Sequence, residues 1–150
     1  MNICGKCAGS MFALTVLIVR RSEGWKQTKS SMTNKLDKIC SLIIRKQGKC
    51  CMCGNEQYEK LQCAHIFSRT YRNTRWDLNN LLCLCASCHF YTHRNPLIFA
   101  EFVKEYLGEY KYAQLRNYHN LIKRFTLQEM INLYEALRIE YETDDTRIIK

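Results

Sequence analysis

Four cysteines stand in two close pairs, Cys50-x-x-Cys53 and Cys85-x-x-Cys88, with residues 54–84 between them. A Cys-x-x-Cys turn lets two sulfurs face one ion, and two such turns can complete a tetrahedral Zn²⁺ site. Gly54 follows the first pair and relieves its turn. A structural zinc contributes on the order of 10 kcal/mol to folding, which matters where the intervening loop has little core of its own. Cys51, Cys63 and Cys83 are competing thiols. Cys63 and Cys83 flank or sit in short apolar runs and suit buried small residues, while Cys51 lies inside the first turn.

Three further polar residues are placed by these pairs. His65 closes the run Leu61-Gln-Cys-Ala-His, Asn80 precedes Leu-Leu-Cys-Leu-Cys85, and His89 follows Cys88 directly, with His93 one helical turn on. Leu61 to Ala64 and Leu82 to Leu84 read as two strands. A helix is expected from Cys88, with His89 and His93 projecting from one face. The second cysteine pair anchors that helix, so one zinc would fix His89 relative to the strand bearing His65. A neutral imidazole, with an ordinary pKa near ~6.5, can take a proton from water at neutral pH. A divalent cation at His89 could stabilise charge on a phosphate oxygen and a departing oxygen. The chemistry these residues suit is phosphodiester hydrolysis, with His65 as base.

The loop after His65 carries Arg69, Arg72 and Arg75 among Tyr71 and Trp76. Guanidinium forks match phosphate oxygens, and aromatic rings can stack on unpaired bases. The whole chain is basic, with 23 Lys and Arg against 14 Asp and Glu, a net charge of +9. A zinc bound by four thiolates would remove only about two of those charges. Such a surface favours nucleic acid, since each neutralised phosphate releases counterions. Nucleic acid is therefore the expected kind of partner.

The order of these parts resembles the HNH nucleases and their ββα-metal fold: Cys-x-x-Cys, a strand ending in histidine, an asparagine before Cys-x-x-Cys-His, then a helix. The resemblance covers roughly residues 50 to 93. It implies a metal-dependent DNA endonuclease that leaves 5′-phosphate and 3′-hydroxyl ends. By the same resemblance His65 is the general base, and Asn80 is the central asparagine that holds the loop so that the base points correctly. His89 then holds a catalytic Mg²⁺ or Mn²⁺, with His93 as second ligand. Many HNH nucleases carry Asp or His just before the base as a metal ligand, and here that place is Ala64. The run His65-Ile-Phe-Ser-Arg69, with Thr74-Arg-Trp-Asp77 further on, is also similar to phage NinG-type recombination nucleases. A phage or mobile-element origin is implied.

The elements that must position this site read as an α+β domain. A ββα-metal core with a structural zinc site is flanked by an N-terminal helix and about three C-terminal helices. The expected divisions are an extension over 1–32, a zinc-stapled core over 33–95, a helical region over 96–142 and a frayed tail over 143–150. Leu36, Ile39, Cys40, Ile43 and Ile44 recur at helical spacing, with Thr33 or Asn34 as cap and Gly48 as stop. After Asn95-Pro96, one stripe carries Phe99, Phe102, Val103, Tyr106 and Leu107. A second carries Leu115, Tyr118, Ile122 and Phe125. Thr126-Leu-Gln-Glu129 has the form of a capping box and opens a third helix, with Met130, Ile131, Tyr134, Leu137 and Tyr141 on one face. The run Phe12 to Val19 is far short of the ~20 residues that span a bilayer. No membrane association is expected, and ligand-type cysteine spacing points to a reducing cytoplasm. Cys4 and Cys7 form a lone Cys-x-x-Cys. Two other readings remain at this level: a non-catalytic zinc module that binds nucleic acid, and an interaction protein whose C-terminal helices hold a phage protein partner.

Overall fold

The computed structural model describes residues 27–148, with side chains as far as residue 143. Cys4, Cys7 and the apolar run 12–19 lie outside the described residues.

Helix α1 (Lys29–Arg45) begins earlier than the apolar stripe implies. Thr28 caps it: its hydroxyl accepts the Ser31 N–H at 3.1 Å, and Ser31 Oγ accepts the Thr28 N–H at 3.0 Å. This reciprocal box uses a serine where Glu or Gln is usual, so residues 29–31 already belong to the helix. Met32, Leu36, Ile39, Cys40 and Ile44 form its buried face. Gly48, at φ +69°, takes the left-handed conformation expected where the helix stops.

Strand β1 (Leu61–His65) pairs antiparallel with β2 (Leu81–Cys85), in a register that sets Leu61 opposite Cys85 and His65 opposite Leu81. The loop between them contains a short α-helical turn, α2 (Arg72–Arg75), and a 3-10 turn at Leu78–Asn80. Helix α3 (Ala86–Arg94) follows β2 without a loop, with Cys85 as its cap residue, and completes the ββα unit. It starts just ahead of the expected Cys88.

Three helices follow: α4 (Pro96–Leu107), α5 (Glu109–His119) and α6 (Leu127–Ile148). Two differ from expectation. The stripe drawn through Ile122 and Phe125 is not one helix. α5 stops at His119, Ile122 is 95% exposed, and Phe125 turns back to pack edge-on against Trp76 at 5.4 Å. α6 opens at the expected box, with Glu129 accepting the Thr126 N–H at 2.7 Å, but continues through the presumed tail. Arg138 bonds Glu135 and Glu142 one turn either side, which supports a polar helix in this stretch.

α6 packs along α1. Met130 and Leu137 are buried in the same cluster as Met32, Leu36, Leu84, Trp76 and Val103. The C-terminal helices thus complete the core under the sheet. No helix among the described residues is long and apolar enough to cross a membrane.

Candidate active site and thiolate knot

The Cys50, Cys53, Cys85 and Cys88 sulfurs all lie within 4.8 Å of one another, with Cys53 and Cys85 3.6 Å apart. Zn–S bonds near ~2.3 Å in a tetrahedron require S···S separations of about 3.8 Å, so the four thiols fit one zinc. The first turn is closed by the Gly54 N–H on Cys50 O at 2.9 Å, with Gly54 at φ +75°. A bond from the Cys51 N–H to Cys83 O, 2.9 Å, ties this turn to β2. Burial raises the Cys50 thiol, yet backbone N–H groups of Cys85, Cys53 and Met52 outweigh it and bring it down to about 7. Cys88 moves the other way, pushed up by burial and then by the neighbouring sulfurs. Four thiols this close cannot all ionise without a cation among them. Cys51 and Cys63 stand outside the knot as neutral thiols, raised by burial to about 12.

His65 ends β1, half-buried. Its Nε2 lies 3.1 Å from the carbonyl of Arg75. A ring nitrogen facing a carbonyl carries the proton, so Nδ1 keeps the lone pair. Burial holds His65 below the ordinary histidine value. The Arg69 and Arg75 charges push the same way, against the Arg75 carbonyl and the Asp37 carboxylate. The imidazole is therefore neutral at pH 7.

A buried side chain, Asn80, and a part-exposed one, Asp37, fix the loop that carries this carbonyl. Asn80 is fully buried. Its Oδ1 accepts the Phe67 N–H at 2.8 Å, and its Nδ2 donates to Phe67 O at 3.0 Å and Thr74 O at 2.9 Å. Asp37, on α1, accepts Arg75 Nε at 2.9 Å, Arg75 Nη2 at 2.6 Å and Trp76 Nε1 at 2.8 Å. Although burial raises the Asp37 carboxyl, these donors hold it below its usual value. The Arg75 fork, read from the sequence as a nucleic-acid contact, is thus committed to Asp37. Asp37 itself has no sequence signal, because its partners lie on a distant loop.

His89 and His93 fall on one face of α3 as their spacing requires, with Nε2 atoms 3.2 Å apart. Two nitrogens on one cation at ~2.0–2.1 Å lie about 3.0–3.4 Å from each other, so the pair fits a shared ion. His89 Nδ1 donates to Gln62 Oε1 at 2.7 Å, which leaves Nε2 free to ligate. Sequence reasoning missed Gln62. It occupies the same strand face as Ala64, which is buried. Among the described residues the cysteine knot is the sole group of three or more potential ligands; the histidines are a pair.

His65, Ser68, Arg69, His89, His93 and Phe99 line one cavity of about 600 Å³. Tyr71 is half exposed, with its ring edge-on to His119 at 4.0 Å, and Phe67 stacks on His119 at 4.3 Å. Asn73 Nδ2 donates to the carbonyls of Tyr118 and His119, so α5 backs the basic loop. Arg72 is exposed.

Residues 50–96 match the family model of the HNH endonucleases. No curated protein and no solved structure matches the chain. The family match agrees with the resemblance read from the cysteine, histidine and asparagine order, and carries nothing on the narrower likeness to phage recombination nucleases.

Proposed function

We propose, from the premise that residues 50–96 are an HNH endonuclease segment, that the protein is a metal-dependent DNA endonuclease. The observation that carries this reading is the shared cavity, which His65, His89 and His93 all line. In the reaction, Nδ1 of His65 takes a proton from water as the oxygen attacks phosphorus. The P–O3′ bond breaks, the 3′ oxygen gains a proton, and the phosphate stays on the 5′ end. His89 and His93 would hold Mg²⁺ or Mn²⁺, which when bound supplies Lewis-acid stabilisation of the phosphate and the leaving oxygen. Water and phosphate oxygens would have to fill the ligand place that Ala64 does not. The Arg75 carbonyl fixes the tautomer of the base, and Asn80 fixes the loop that presents it. Arg69, Arg72 and Tyr71 hold the strand being cut.

Nicking of supercoiled plasmid with Mg²⁺ or Mn²⁺ tests this. His65→Ala should slow nicking by about 10²–10⁴-fold, with zinc content and melting unchanged. Zinc-loaded, folded wild type that binds DNA but cuts with neither metal would overturn the proposal in favour of a nucleic-acid-binding module.

A further inference from the structure

A second pocket of about 290 Å³ lies against His65, roofed by α1. Asp37, Ser41, Arg45, Gln62, His65 and Arg69 contribute to its lining. Its α1 residues fall outside the segment that matches the HNH endonucleases. The pocket is cationic. Asp37 is spent on Arg75 and Trp76, which leaves the charges of Arg45 and Arg69 uncompensated.

Arg45 is poorly satisfied by the protein. Its Nη2 donates to Tyr58 O at 3.3 Å, and its guanidinium lies 4.4 Å above the Tyr58 ring. Its Nε is shut from solvent and bonded to nothing. The protein thus leaves most of the guanidinium's donors unused. The Arg69 side chain has no hydrogen bond or ion pair among the described residues, and it lines both this pocket and the larger cavity. His65 also lines both, so the two spaces meet at the base.

We propose that this pocket seats the phosphate adjacent to the scissile one, held by Arg45 and Arg69. The inference rests on the nuclease reading, because it takes the phosphate cut at His65 as its origin. A strand lying in the larger cavity carries its next phosphate past the imidazole towards the fork of Arg45, whose terminal N–H groups make charge-assisted bonds to it.

Two measurements test it. In cleavage of an oligonucleotide at its mapped cut, Arg45→Gln should raise KM about tenfold, with kcat within about twofold. A neutral methylphosphonate at one flanking position should cost wild type a similar factor and Arg45→Gln nothing further. Equal losses in both proteins at every flanking position would overturn the proposal. Binding of the same oligonucleotide without added Mg²⁺ or Mn²⁺ reads the pocket independently of cutting. The slope of log K against log salt should fall by about one in Arg45→Gln and hold in Arg45→Lys. An unchanged slope in folded, zinc-loaded Arg45→Gln refutes the pocket, whereas wild type that binds but never cuts refutes the nuclease reading. Should Arg45→Gln fail to fold, Ser41→Glu places a carboxylate in the same space. It should weaken binding about tenfold, and unaltered affinity would count against the pocket.

Discussion

The four clustered cysteines and the His89–His93 pair, the two groups that could hold a cation, differ in closure. The knot brings four sulfurs within 4.8 Å, and its first turn is set by local backbone bonds. The histidine pair brings two nitrogens 3.2 Å apart on the wall of a cavity of about 600 Å³. A full tetrahedral shell leaves no position for a substrate, which suits an ion whose work is to hold the fold. A part shell leaves positions for water and phosphate, which suits an ion that takes part in chemistry. They also differ in support. The first cysteine pair depends mainly on its own turn, while His89 depends on Gln62 from a strand that precedes it by a long loop.

The sharpest way to break this contrast is Cys85→Ser. Cys85 is one of the four clustered thiols, the last residue of β2 and the cap residue of α3. Its loss should release the zinc, forfeit on the order of 10 kcal/mol of binding and abolish cooperative melting of the core. Bound zinc and circular dichroism on heating read this directly. A variant that keeps one zinc and melts like wild type would show that the knot is not the staple. Gln62→Leu probes the open site, and its effect should be smaller. With no acceptor for Nδ1–H, His89 loses its fixed tautomer, and Mn²⁺ affinity should fall about 10–100-fold. Titration followed by the Mn²⁺ resonance measures this apart from activity, and zinc content should not change. Unaltered Mn²⁺ affinity would mean that the pair does not hold the ion.

The same contrast decides what was legible in the sequence. The knot could be read because its turns are local, with ligands two intervening residues apart. The strands, α3 and the His89–His93 face were legible for the same reason: periods of two and four residues carry them. Asn80 could be placed by its position before the second knuckle, although its bonds to Phe67 and Thr74 are visible only in three dimensions. Asp37 and Gln62 were missed because each acts across a long separation in the chain. Arg75 was read as a nucleic-acid contact, and nothing in its sequence neighbourhood announces the α1 carboxylate that its fork bonds. The end of α5 was misplaced because Phe125, at plausible helical spacing from Leu115, instead packs on Trp76 from a loop. The C-terminal helices read as a separate region, yet α6 covers α1. Truncation after α3 would therefore expose the core.

The smallest expected effect concerns the base, and its sign follows from what surrounds His65. Burial, then the Arg69 and Arg75 charges, hold its folded pKa below the ordinary 6.5, against the pull of the Arg75 carbonyl and Asp37. As pH falls through that value the unfolded chain takes up its proton first. The stability this neutral imidazole contributes is thus fully present above about pH 6.5 and is lost as pH drops towards the folded pKa. The acid limb of kcat/KM should accordingly lie below pH 6.5. Asp37→Asn separates charge from bracing. It removes the carboxylate that favours the imidazolium and leaves Arg75 unneutralised, and both changes move the limb further to acid. The amide also cannot accept from both Arg75 nitrogens, so the carbonyl that fixes His65 loosens and kcat should fall several-fold, by about 1 kcal/mol. A limb that stays in place while kcat falls would assign Asp37 to bracing alone. If limb and kcat are both unchanged, the bonds from α1 to Arg75 and Trp76 do not govern the base at all.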